Sequence, residues 1–236
     1  MHRQGATGAA ASARHRLFLA CILLTACSSQ YQVNELAADL RKSGNAAGTL
    51  QQLESLSAAK RDQGLYLLSQ GQLELLTGDF RDSVLSLQTA KQHFEELQAI
   101  SISESLGAST INETLRAYTA TPGERVFLHE ALALNYLLLG ELDAARVEVL
   151  QADVLMGQLA EKGATIGQVA STRYLGGLVF ELNREWDDAL ISYRKAAEIL
   201  ERRGQPIPPA LRQSLLQLTA RNGLAAEHEA YREQFG

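Results

Sequence analysis

A spacing of small residues that occurs three times constrains the fold more than any other feature of this chain. Three sets of small residues share an interval of 12 and then an interval of 7 residues: Gly71, Ser83 and Ala90; Ala133, Ala145 and Ala152; and Gly177, Ala189 and Ala196. Small side chains at fixed intervals allow two helices to approach closely where they cross. Because one pattern recurs along the chain, we expect a stack of similar helical hairpins.

Larger side chains lie between the small ones at matching places. They are Phe80 and Leu87; Tyr136, Leu142 and Val149; and Phe180, Trp186 and Tyr193. The combined pattern resembles the tetratricopeptide repeat, a helical hairpin of 34 residues, although Glu74 departs from it. The resemblance implies an all-α fold, a tetratricopeptide-type α-solenoid of antiparallel helix pairs, with repeats at about 64–97, 126–159 and 170–203. An ordinary helical bundle is the alternative.

The segments outside the three repeats are predicted to cap or interrupt the stack. Residues 34–58 and 208–235 read as degenerate helical caps, which a repeat array needs at its ends. Residues 98–125 are extra with respect to the repeat and are rich in Ser, Thr and Ala, with Pro122-Gly123 predicted to mark a turn. This insertion either fills the concave face of the solenoid or serves a partner.

Composition excludes several classes of protein. Leu, Ala, Gln and Glu are abundant, which favours helices over strands. A net charge of −5 argues against nucleic-acid binding. Two cysteines are too few for a disulfide scaffold or a four-thiolate zinc site.

The amino terminus has the pattern of a secretory signal. Residues 1–16 contain three arginines and no acidic residue, and the apolar run LFLACILLTA follows them. The run ends in Leu24-Thr25-Ala26-Cys27, which resembles the bacterial lipobox. The resemblance implies that signal peptide 1–26 is cleaved and that Cys27 receives a diacylglyceryl group and an N-acyl (palmitate-type) chain. A plain signal peptide or an uncleaved anchor is the alternative.

The lipobox implies a location and a division of the mature chain. Residues 27–33 are then a lipidated tether, and residues 34–236 form the repeat domain. Two or three acyl chains hold a protein firmly on a membrane. By analogy with lipoprotein sorting in enterobacteria, Ser28 after the cysteine implies the periplasmic face of the outer membrane.

The whole mature chain resembles uncharacterised bacterial lipoproteins that contain tetratricopeptide repeats. The most similar stretch is GERVFLH at residues 123–129, followed by Ala133 to Gly140. That family has no established activity, so the resemblance supports the architecture and the location and implies no catalytic residues.

The sequence contains no motif that indicates catalysis, a cofactor or a metal. His129-Glu130 begins like a metalloprotease motif, but Ala133 stands where the second histidine is required. We expect a structural or surface role for His129. An enzyme, a small-molecule substrate and a nucleic-acid partner are therefore not expected.

A concave face formed by the first helix of each repeat is the predicted interaction site. Its expected residues are Leu68, Gln72, Leu76, Glu130, Leu134, Leu138, Tyr174, Leu178 and Glu181. No basic residue stands where some tetratricopeptide proteins clamp a carboxylate. The expected partner is another envelope protein, which contributes an apolar helix or an extended peptide. The chain is thus predicted to be a scaffold in cell-envelope assembly.

Two further roles follow from the same architecture. One is an accessory lipoprotein that regulates a peptidoglycan synthase or a secretion or pilus system, which is an analogy at the level of the fold. The other is a module that binds peptidoglycan or another glycan. A glycan-binding module requires aromatic platforms, and only Tyr174 fits on the concave face.

Overall fold

The computed structural model describes residues 28–56, 60–105, 117–163 and 167–235. Within these residues the chain forms ten α-helices and no strand. The helices are α1 (Ser28–Ser43), α2 (Ala46–Ser55), α3 (Gln63–Thr77), α4 (Phe80–Ser105), α5 (Pro122–Leu138), α6 (Leu142–Glu161), α7 (Ala170–Leu182), α8 (Trp186–Arg202), α9 (Pro209–Arg221) and α10 (Ala225–Phe235). The all-α prediction is confirmed.

The helices pack as successive hairpins that stack on one another. The most extensive contacts join α3 with α4, α5 with α6, and α7 with α8. Each hairpin then contacts the next through α4 with α5 and α6 with α7. Helices α1 and α2 pack before the first hairpin, and α9 and α10 pack after the third. This order is that of a tetratricopeptide-like solenoid.

The turn inside each hairpin uses a left-handed residue. Gly78 and Gly140 have φ values of 91° and 76° at equivalent places in the first two hairpins. Glycine tolerates this conformation because it has no Cβ atom. The third hairpin places Arg184 there with a φ of 63°, and no other non-glycine residue in the described ranges has a positive φ.

Pro122-Gly123 does not mark a turn, so that prediction was wrong. Pro122 is the first residue of α5, where the missing backbone N–H costs nothing. Thr121 caps the helix, because its Oγ1 accepts from the backbone N–H of Glu124 at 3.3 Å. The Glu124 carboxylate accepts in return from the backbone N–H of Thr121 at 2.7 Å, which completes a capping box.

Both ends of the predicted insertion are helical. Helix α4 continues to Ser105, and α5 begins at Pro122. Tyr118 lies between them, and its backbone N–H donates to the carbonyl of Arg61 at 2.8 Å. The Tyr118 side chain packs against the apolar core that α3, α4 and α5 form. Residues 106–116 lie outside the described residues.

Helix α1 begins earlier than the sequence indicated. Residues 28–33 belong to α1, whereas residues 27–33 were predicted to be a tether. Residues 1–27, which include Leu24, Thr25, Ala26 and Cys27, lie outside the described part of the chain. None of the described helices is long and apolar enough to cross a membrane.

Candidate functional site

The predicted packing residues lie where the helices of each hairpin cross. Ten of them are buried: Gly71, Ala90, Ala133, Ala145, Ala152, Gly177, Phe180, Ala189, Tyr193 and Ala196. Tyr136 and Trp186 are half-buried. A Cβ atom on Gly71 would lie 2.5 Å from Leu87 Cγ, and one on Gly177 would overlap the Tyr193 ring. The glycines therefore set the closest approach of paired helices.

The first helices α3, α5 and α7 carry the residues predicted for the concave face. Leu68 is buried, whereas Gln72, Leu76 and Leu138 are exposed. The others are half-buried: Glu130, Leu134, Tyr174, Leu178 and Glu181. Tyr174 lies with its ring centroid 5.5 Å from that of Tyr193, so core packing occupies part of this aromatic surface.

Both acidic residues of this face are engaged within the chain. Glu130 Oε2 accepts a hydrogen bond from Thr172 Oγ1 at 2.5 Å. Glu181 Oε2 accepts from the Tyr193 hydroxyl at 2.8 Å. The two carboxylates therefore support contacts between helices and are not free for a partner.

Three leucines form an exposed row at the carboxyl ends of the first helices. Leu76, Leu138 and Leu182 stand at the same place in successive repeats and are 62%, 51% and 54% exposed. We call these three residues the leucine row. Sequence reasoning chose Glu181 in the third repeat and missed Leu182, although the repeat register points to Leu182.

A buried polar cluster joins the first two hairpins, and sequence reasoning missed it. Glu148 on α6 is 3% exposed. Its carboxylate contacts His129 Nδ1 on α5 at 2.7 Å and Lys91 Nζ on α4 at 3.1 Å. Gln88 Nε2 also donates to Glu148 at 3.3 Å. His129 is thus part of an internal ion-pair network that spans three helices.

The side chains around Glu148 favour the ionised form of its carboxyl group. Burial alone would raise the pKa of the carboxyl, but the hydrogen bonds and charges of His129 and Lys91 outweigh burial and hold the pKa below its ordinary value. The folded chain therefore binds this proton less readily than the unfolded chain. The stability from this group is present near neutral pH and is lost as the pH falls below the ordinary carboxyl range.

Polar contacts also join other pairs of helices between repeats. Asn135 Nδ2 donates to Ser83 Oγ at 2.7 Å, and Ser83 Oγ donates to the carbonyl of Gly71 at 2.6 Å. Between the second and third hairpins, Asp153 pairs with Arg173 and with Lys195. Burial lowers the pKa of Arg173 to about 10. Such pairs give the stacking of repeats a defined register.

The described residues hold no group of three or more His, Cys, Asp or Glu side chains that could bind a metal ion. His129 Nδ1 is occupied by Glu148, and Glu130 is occupied by Thr172. Neither residue of the His129-Glu130 pair is therefore arranged as a metalloprotease motif requires.

Solved structures with the same architecture come from several sources. No protein-family model matches the chain, and no curated protein matches it. MamA from Desulfovibrio magneticus RS-1 is similar over 86% of this chain and 89% of its own, with a TM-score of 0.52 and 13% identity. BtubC (BKLC) from P. vanneervenii is similar over 93% of this chain and 83% of its own, with a TM-score of 0.53 and 15% identity.

A third similar structure also contains repeats of this kind. It is a putative kinesin light chain from Podosopora anserina with nearly identical TPR-like repeats, similar over 87% of this chain and 92% of its own. Its TM-score is 0.53 at 14% identity. At this level of identity the likenesses concern the fold. The chain folds as a tetratricopeptide-like α-solenoid.

Proposed function

We propose that this protein is a lipid-anchored scaffold of the bacterial cell envelope whose concave face binds an apolar segment of another protein. The observation that carries the proposal is the leucine row, in which each leucine is more than half exposed. Exposed apolar side chains at one repeated position of successive first helices are suited to form an apolar strip, and contiguous apolar surface marks an interaction site. The concave surfaces of helical repeat proteins are suited to this use.

The chemistry of the strip favours an amphipathic helix as the bound segment. Glu130 and Glu181 of the predicted concave face are engaged by Thr172 and Tyr193, so neither carboxylate is free to bind a polar ligand. A helix presents apolar side chains along one face and can lay them in such a groove. A pocket of about 100 Å³ beside Leu76, between α1 and α3, has room for one anchoring side chain.

The lipid anchor would concentrate the scaffold at the membrane surface. Attachment to a membrane confines the search for a partner and raises the effective concentration. The proposed partner belongs to an envelope assembly complex, such as a peptidoglycan synthase or a secretion or pilus system. The support for anchoring is the Leu24-Thr25-Ala26-Cys27 motif. The described fold begins at Ser28, so cleavage before Cys27 would leave every described helix intact.

Replacing Cys27 with alanine is expected to move the protein from the membrane fraction to the soluble fraction. The reason is that the thiol receives the lipid, and no described helix can cross the bilayer. Fractionation of cells with immunodetection measures the change, and Ser29→Ala serves as the matched control. Continued sedimentation of the Cys27→Ala protein with membranes would show that another anchor exists.

Charges placed in the leucine row are expected to prevent binding of the partner. Leu138→Glu and Leu182→Glu should each reduce the partner protein that copurifies from detergent-solubilised membranes by about tenfold or more, because a carboxylate would be desolvated against an apolar surface. Quantitative mass spectrometry of the purified complexes measures the loss. Thermal unfolding should be unchanged, since both leucines are largely exposed.

The control for these variants is a leucine outside the row. Leu85 lies on the second helix α4 and is 68% exposed. Leu85→Glu should retain the partner at the level of the unsubstituted protein. If all three variants retain the same copurifying proteins, the leucine row is not the binding surface.

A further inference from the structure

A second candidate site lies between the second helices of the first two repeats. A groove of about 310 Å³ runs between α4 and α6, and the amino-terminal half of α5 forms its floor. Leu150, Val154 and Leu155 of α6 form an apolar wall. Arg125, His129 and Glu95 supply polar groups to the same groove. The groove contacts the amino-terminal half of α5, whereas Leu138 of the leucine row lies at the carboxyl end of that helix.

The groove contains one cation and one anion that are not paired with each other. Among the described residues, neither the Arg125 guanidinium nor the Glu95 carboxylate has a hydrogen bond or an ion pair. Arg125 is half-buried, and Glu95 is at the exposed rim. A guanidinium binds a carboxylate in a fixed fork geometry, and a carboxylate accepts hydrogen bonds from an ammonium group.

His129 adds a polar group to the same groove. Its Nδ1 is bonded to Glu148, which also pairs with Lys91. Nε2 is the second ring nitrogen and can take part in a further hydrogen bond. Nε2 has no partner among the described residues, and His129 lines the groove. The buried cluster therefore holds in place a histidine whose second ring nitrogen has no partner among the described residues.

We propose that this groove binds a small zwitterionic ligand, a short peptide with free ends and apolar side chains. Arg125 binds the terminal carboxylate, Glu95 binds the terminal ammonium, and His129 Nε2 forms a hydrogen bond with a polar group of the ligand. The apolar side chains lie against Leu150, Val154 and Leu155. A cation alone fits poorly, because the unpaired guanidinium of Arg125 would repel it.

The probe that tests the site is the dipeptide L-leucyl-L-leucine, titrated into the purified full-length protein in detergent by calorimetry. We expect saturable binding with one site per chain. The N-acetylated dipeptide lacks the ammonium, and the C-terminal amide lacks the carboxylate. Each blocked form is expected to bind about tenfold more weakly or worse, because a hydrogen-bonded charge pair is lost.

Substitutions in the groove should have matching effects. Arg125→Gln should weaken binding of the free dipeptide about tenfold and leave the affinity for the C-terminal amide unchanged. Glu95→Gln should also weaken binding of the free dipeptide about tenfold, and it should leave the affinity for the N-acetylated dipeptide unchanged. His129→Asn keeps a donor toward Glu148 and removes Nε2, and it should also weaken binding. The control is Arg81→Gln, because Arg81 is 80% exposed and lies outside the groove.

Three results would overturn the proposal. The first is the absence of saturable binding by the folded protein. The second is equal affinity for free and end-blocked dipeptides, which would reduce the groove to an apolar contact. The third is unchanged affinity in Arg125→Gln and Glu95→Gln. None of these results affects the leucine row, because the copurification of its partner is measured separately.

Discussion

Gly177→Ala is expected to destabilise the protein by about 2–3 kcal/mol, although it adds a single methyl group. The new Cβ atom would overlap the ring of Tyr193, which is fully buried at the crossing of α7 and α8. The ring has no room to move, because the core of the third repeat surrounds it. Denaturant unfolding followed by circular dichroism measures the loss.

The matched control is the same substitution at a glycine with open surroundings. Gly157 lies inside α6, and a Cβ atom there would meet nothing within 4 Å. Gly157→Ala should therefore stabilise the protein by about 0.5–1 kcal/mol, because alanine loses less conformational entropy in a helix than glycine does. Equal effects of the two substitutions would show that Gly177 is not at a close helix contact.

Ala189→Glu is expected to have a larger effect, with a loss of more than about 4 kcal/mol. Ala189 is completely buried between α7 and α8, so a carboxylate there would be desolvated without a partner. We expect the third hairpin to unfold while the first two retain part of their structure, since repeat arrays can lose units locally. Hydrogen exchange measured by mass spectrometry resolves which helices lose protection.

The control for Ala189→Glu lies two residues further along the same helix. Ile191 is 44% exposed, so Ile191→Glu should change the free energy of unfolding by less than about 1 kcal/mol. The register of the third repeat would be contradicted if Ala189→Glu unfolded at the same denaturant concentration as the unsubstituted protein.

The fold could be predicted because its determining contacts are local. Gly177 and Tyr193 meet across one hairpin, and their separation in sequence is set by two helices and a short turn. The intervals of 12 and 7 between the small residues follow from this arrangement of two helices and a turn. The turn at Arg184 shows that the pattern does not depend on a glycine there.

The polar cluster could not be predicted because its members have no spacing rule. Lys91 and Glu148 are 57 residues apart and meet only when one hairpin stacks on the next. A structural and a surface role were both expected for His129, and the sequence does not show that its partner lies on another helix. The start of α5, in contrast, could have been predicted, because Thr121 and Glu124 have the capping-box spacing that identifies Pro122 as the start of a helix.

The sequence identifies the first-helix positions of each repeat, but it does not show how exposed their side chains are. The repeat register identifies first-helix positions, but whether a side chain there is buried depends on the neighbouring repeats. Glu130 reaches Thr172 on the next first helix, and this contact removes a carboxylate that the sequence offers to a partner. Leu182, and not Glu181, is the third-repeat equivalent of Leu76 and Leu138, so the repeat register could have identified it.

Photochemical cross-linking in intact cells tests the central claim most directly. A photoreactive residue is placed at Leu138 or Leu182 in the row and, as a control, at Leu85. We predict that both row positions give an adduct with the same envelope protein and that Leu182→Glu abolishes the adduct formed from position 138. Adducts from position 85 alone, or only cross-links within the chain, would contradict the proposal that the leucine row binds a partner.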